Sequence, residues 1–187
     1  MKRAGFIAVA VLGLARPALA EERGTYVHSF ATASIGEALR FNNPYRLPTP
    51  LGKSPESVSL AAPYGDLGIG ATFGAPSGLQ HGALVHWSFA LAGIPQAVVT
   101  PSYVAMLRNG ASMPYARAGL PFVLGPDPNV GGELALGGIY LFSGAVGRTG
   151  ELGASAFYGA ATRDVSATFV PLLFAQLGVA IDLEVLP

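Results

Sequence analysis

The chain has no cysteine. That excludes a disulfide framework, and it removes the residue a bacterial lipoprotein needs for its lipid anchor. Charge is scarce too. Asp, Glu, Lys and Arg make up 12% of the 187 residues, about half the share usual in soluble domains. From Leu67 to Leu107 there is no charged side chain at all. Yet that stretch is no membrane helix, because Pro76, Pro95, Pro101 and a scatter of glycines break it into strand-length pieces. An uncharged stretch that cannot be helical points to strands.

The first residues follow a different logic. Lys2 and Arg3 form a basic start, Gly5–Leu14 is an apolar run and Ala18-Leu19-Ala20 is a small-x-small cleavage site. Residues 1–20 are expected to be a secretory signal peptide, and residues 21–187 one β-barrel domain. Of the 11 basic and 11 acidic residues, Lys2, Arg3 and Arg16 would leave with the peptide. The mature chain is then slightly acidic, which gives nucleic acid nothing to bind.

What remains is dominated by alternation. In Pro114–Leu124 one parity carries Ala116, Ala118, Leu120, Phe122 and Leu124, and the other Tyr115, Arg117, Gly119, Pro121 and Val123. The same rule sets Leu134, Leu136, Tyr140 and Phe142 against Glu133 and Ala135, and Leu152, Ala154, Ala156 and Tyr158 against Glu151 and Ser155. In the last segment it sets Leu177, Val179, Ile181 and Leu183 against Gln176, Asp182 and Glu184. Segments of about 9–11 residues with one oily and one small or polar face suit strands that cross a bilayer. Eight principal strands are expected at about 34–41, 66–74, 82–92, 96–107, 114–124, 132–142, 146–158 and 174–185, ten if Thr25–Ala33 and Ser57–Ala62 each add one. Short turn signals at Gly93-Ile94-Pro95, Asn109-Gly110 and Ser143-Gly144 favour antiparallel hairpins. The longer connections Asn42–Gly65 and Gly159–Pro171 would emerge at one end, where they are the candidates for contact with a surface partner.

The alternating stretch from Pro114-Tyr-Ala-Arg-Ala-Gly-Leu-Pro to Val185 resembles the small outer-membrane β-barrel superfamily, and most of all the uncharacterised barrels of myxobacteria-like Gram-negative bacteria. The resemblance implies an all-β, antiparallel up-and-down transmembrane barrel in the outer membrane; outer-membrane lipid is the expected partner, no cofactor is expected, and the oligomeric state is left open with a monomer favoured. Such barrels commonly end on an aromatic residue that insertion machinery reads, whereas this chain ends Asp182-Leu-Glu-Val-Leu-Pro187.

Chemistry is sparse. Arg117, Glu133, Glu151, Asp182 and Glu184 share the inferred inner face and are expected to converge in the lumen, as a structural plug or as a cation-favouring constriction. Trp87, Tyr140 and Tyr158 lie on the oily face as interface anchors, and Arg148 breaks the parity rule close enough to a turn to reach headgroups. His86-Trp87-Ser88 is the one enzyme hint. Outer-membrane lipid A deacylases carry a His-x-Ser pair of this kind with a nearby carboxylate, so the resemblance would make His86 the base and Ser88 the nucleophile. Here the pair is expected to face inward, with no acid in the neighbouring uncharged strands, so no catalytic residue is assigned. His28, His81 and His86 lack metal-ligand spacing. The leading expectation is a non-enzymatic barrel with a structural, adhesive or narrow-pore role. The alternatives are a secreted or periplasmic lipocalin-like barrel binding an apolar ligand, and a lipid hydrolase. A soluble barrel would need its polar face outside, and the charges here are too few to solvate one.

Overall fold

The computed structural model describes residues 26–41, 59–93, 95–125, 128–159 and 168–185. The segment expected to be a signal peptide, the residues past Val185 and most of the two long connections therefore lie outside the described residues. Ten strands follow in order: β1 Tyr26–Arg40, β2 Ser59–Leu60, β3 Tyr64–Gly74, β4 Gly78–Ala90, β5 Ala97–Arg108, β6 Ser112–Gly119, β7 Phe122–Gly125, β8 Asn129–Ser143, β9 Val146–Gly159 and β10 Thr168–Val185.

They form eight staves. Each stave pairs antiparallel with its neighbours in sequence, and β10 returns to pair with β1 from Val27↔Val185 to Arg40↔Leu172, so the sheet closes into an eight-stranded barrel. The count of ten strands reconciles with eight staves in two ways. β6 and β7 are one stave interrupted at Leu120-Pro121, where proline has no N–H to give, and bonds from Leu120 N to Pro101 O (3.0 Å) and from Gly131 N to Pro121 O (2.9 Å) hold its neighbours across the break. β2 is a two-residue flap on the end of β1. The expected strand at 34–41 and the optional one at Thr25–Ala33 are one continuous strand, because His28, Phe30, Thr32 and Ser34 all keep the same inward parity. β10 likewise starts at Thr168 rather than 174, which shortens the connection before it.

The stagger of the barrel is read from the pairing. An inward row of partners runs from His28 to Thr72, Gly82, Val104, Arg117, Ala135, Gly153 and Phe174, and re-enters β1 at Ala38, not at His28. A row that climbs as it circles requires tilted strands, about 35–45° from the barrel axis in closed barrels of this kind. It also means that residues equally far along two strands need not sit at the same height.

Short turns gather at one end. Gly110 (φ +58°) and Gly144 (φ +54°) each take the first central position of a two-residue hairpin, where a positive φ lets the turn match the twist of the strands. Both described chain ends lie at this end, called lower below. The connections spanning 42–58 and 160–167 leave from the upper end.

Parity then decides which side chains meet what. Leu134, Leu136, Leu152 and Leu177 are between 67% and 75% exposed on the outside, and Trp87, Tyr103, Phe122, Tyr140, Phe142, Ile69 and Ile181 share that face. The inside holds Arg117, Glu151, Asp66, His86, Gln80 and Thr72, all buried. A soluble domain inverts this arrangement.

Candidate functional site

The lumen is filled, and its filling is layered. The upper layer is built around Arg117 on β6. Its guanidinium donates from Nε to Glu151 Oε2 (2.8 Å) and from Nη2 to Glu151 Oε1 (2.6 Å), a two-pronged pair with β9. Nη1 meets Glu133 Oε1 of β8 at 2.5 Å and donates to Ser102 Oγ of β5 at 3.3 Å. Glu151 also accepts from Tyr115 (3.0 Å) and from the Gln176 amide (3.2 Å), and Tyr64 reaches across from β3 to Gln176 Oε1 at 3.3 Å. Phe174 lies under the guanidinium, 5.9 Å from ring centre to Cζ. Six staves therefore share one hydrogen-bonded cluster.

Beside it stands a second polar group. Asp66 on β3 faces β4 in register with Ser88. His86 Nδ1 lies 2.5 Å from Asp66 Oδ1, and Ser88 donates to Asp66 Oδ2 at 2.6 Å. The absence of an acid expected around His86 and Ser88 is thus corrected. Asp66 sits one residue before the uncharged window begins, and the β3–β4 hairpin folds it back onto the pair. The geometry is still not that of an activated nucleophile, which needs serine bonded to the histidine that takes its proton. Here both donors converge on one carboxylate.

Below these groups the lumen turns apolar. Phe30, Leu84, Val104, Met106, Met113, Ile139 and Ala180 are buried together, with Tyr115 joining their layer to the polar one above. Under that layer polar groups return at the lower mouth. Arg108 Nη2 and Nη1 donate to Asp182 at 2.8 and 3.3 Å, and Thr72 bonds Gln80 (2.8 Å), which in turn caps the Ala75 carbonyl (2.6 Å).

The single cluster expected from sequence is therefore two. Arg117, Glu133 and Glu151 meet in the upper layer. Asp182 pairs with Arg108 instead, since it lies six residues beyond Gln176 along β10, a path of about 20 Å. Glu184 pairs through its backbone with His28, and its side chain is not among those described. Trp87 and Tyr140 face outward, the side chain of Tyr158 is not described, and Arg148 lies on the outer face over the Tyr140 ring at 5.2 Å. Sequence reading missed Tyr64, Gln176 and Ser102 as members of the upper layer. It also missed Glu37, which is exposed on the outer face of β1. A hollow of about 680 Å³ among Phe41, Ala118, Gly132, Leu134, Ala154 and Leu173 also borders Glu133 of the upper layer. Among the described residues no three His, Cys, Asp or Glu side chains group as metal ligands.

No protein-family model matches the sequence, and no curated protein does. Solved structures match by shape. Neisserial surface protein A aligns over 85% of this chain and 99% of its own with a TM-score of 0.51 at 15% identity. The outer membrane protein OprG of Pseudomonas aeruginosa aligns over 84% and 96% with a TM-score of 0.46 at 12% identity, and the outer membrane protein AlkL, solved in DMPC bilayers, over 90% and 96% with 0.45 at 9%. At such identities likeness speaks to fold alone, and the fold of this chain is a closed eight-stranded antiparallel barrel, the architecture it shares with Neisserial surface protein A.

Proposed function

We propose that the protein is an outer-membrane barrel whose body is a sealed anchor, neither a pore nor an enzyme, and whose upper connections, spanning residues 42–58 and 160–167, carry whatever recognition it performs. The observation that supports this most strongly is the layered lumen: an apolar layer of Phe30, Leu84, Val104, Met106, Met113 and Ile139 beneath a cluster of Arg117 with Glu133 and Glu151. Water and ions have no continuous polar path past such a layer, and an eight-stranded barrel is only wide enough for its own side chains. The outer belt of leucines and aromatics supports a lipid surround, and a monomer satisfies it without a partner chain. Export by the N-terminal segment belongs to the same reading.

Catalysis finds no support in the geometry, since Ser88 donates to Asp66 and not to His86. The test is conductance. Purified protein inserted into planar bilayers is expected to leave the membrane silent across the usual voltages. Steady cation-selective openings that vanish in Glu133→Gln/Glu151→Gln would replace the sealed anchor with a narrow pore.

A further inference from the structure

Among the described side chains with outward parity only Glu37 and Arg148 carry charge, and they stand toward opposite ends of the barrel. Glu37 is near the upper end of β1. Arg148 is two residues past the start of β9, about 7 Å of strand from the lower turn. No carboxylate pairs with it among the described residues. Its partner is the Tyr140 ring, 5.2 Å from ring centre to Cζ, and a guanidinium held by a ring face keeps its N–H donors unspent. Tyr140 belongs to a longer row. Ser112, Tyr140 and Arg148 are register partners across β6, β8 and β9, all outward and exposed, and side chains opposed on neighbouring strands stand about 4.5–5.5 Å apart at Cβ. No hydrogen bond within the described residues uses any of these three side chains.

We propose that this row binds the phosphodiester of an anionic phospholipid, of the phosphatidylglycerol type, in the leaflet at the lower end; the proposal rests on the membrane reading of the barrel. The guanidinium presents a planar fork of N–H donors that fits two phosphate oxygens, and the Tyr140 and Ser112 hydroxyls can donate to the same group. All three are donors to an acceptor the protein does not supply. Charge decides between headgroups: Arg148 adds one positive charge to a wall with no acid beside it, so a headgroup of net single negative charge balances it, whereas a zwitterionic one brings its own cation. Height agrees with this. An arginine close to a strand end keeps its stem against the apolar wall and turns its head to the headgroups, while the ring contact limits the rotamers lost on binding.

The test uses the full barrel inserted in vesicles of phosphatidylcholine mixed equally with phosphatidylglycerol, and native mass spectrometry of the extracted protein identifies the lipid that stays bound. Retention of phosphatidylglycerol over phosphatidylcholine is expected in the parent protein. Arg148→Gln should erase that preference, and Tyr140→Phe, which keeps the ring and loses the hydroxyl, should weaken it. Arg148→Lys keeps the charge without the fork, so it should retain only part of the preference, and it serves should Arg148→Gln fail to fold. Quenching of Trp87 emission by brominated acyl chains reads lipid contact separately, on an outward side chain of another stave. Quenching without a preference, or a preference undiminished in the Arg148 variants, overturns the site and leaves the membrane reading standing. Absence of quenching in any vesicle overturns both.

Discussion

Replacing Arg117 with alanine tests the upper layer where it is most heavily committed. The guanidinium holds two carboxylates, whose side chains are 11% exposed at Glu133 and 1% at Glu151, and it adds a bond to Ser102 and a ring contact with Phe174. Exposed ion pairs contribute about 1 kcal/mol or less, but removing one member of a buried pair costs roughly 3–5 kcal/mol because the survivor keeps its desolvation penalty. Burial places Arg117→Ala in the second class. Tyr115 and Gln176, which donate to Glu151 at 3.0 and 3.2 Å, are left in place by the substitution, which favours the lower half of that range. Urea unfolding in detergent micelles reads the loss, followed by emission of the chain's one tryptophan, Trp87, which lies outside the lumen and leaves the cluster untouched. A second change should recover part of it, and Glu151→Gln more than Glu133→Gln, since the more deeply buried charge is the dearer one to leave alone. A loss below about 1 kcal/mol, or strictly additive double variants, would refute the reasoning.

Other perturbations separate the faces and the seams. Leu136→Arg puts a charge on the lipid face and is expected to cost about 2–4 kcal/mol near the midplane, whereas Ala135→Ser, inside, should be much milder; equal damage in refolding assays would argue against lipid on one side. A methyl on Gly82 would strike the Ala71 carbonyl and sit 2.7 Å from Thr72 Cα, so Gly82→Ala should destabilise by about 1–3 kcal/mol, while Gly132→Ala, with nothing within 4 Å, should be near neutral by the same urea titration. Ser88→Ala removes one donor to Asp66 and is expected to cost about 1 kcal/mol; Asp66→Ala strands both His86 and Ser88 and should cost more. Neither the parent protein nor these variants should release fatty acid from membrane lipid, and Ser88-dependent release would restore the hydrolase alternative.

Much of the fold is legible in the sequence because side-chain parity is a one-residue rule. Arg117, Glu133 and Glu151 fall on the inner face by counting alone, and Leu134, Leu136 and Leu152 on the outer. Where the count starts matters less than where a strand ends, and ends are poorly marked. β1 looks like two strands because Thr32, Ala33 and Ser34 carry little hydrophobic contrast, and the break at Leu120-Pro121 is invisible because its stave keeps parity through Val123.

Height in the barrel is a different quantity from parity, and this is where reading by face alone fails. Asp182 and Gln176 share a face of β10, yet one pairs with Arg108 at the lower mouth and the other with Glu151 in the upper layer. Separating them requires the register of every hairpin and the climb that carries the row from His28 round to Ala38. Asp66 could have been found with less. The β3–β4 hairpin is symmetric about Ser77, and counting eleven residues from it along each strand sets Asp66 opposite Ser88. With the carboxylate between His86 and Ser88, the residues that most resembled an active site become a cross-strand clamp. The same count sets Gly68 against His86, where a Cβ would strike the Thr32 hydroxyl and come within 3.3 Å of the ring, so the hairpin that brings in the acid also calls for glycine beside the imidazole.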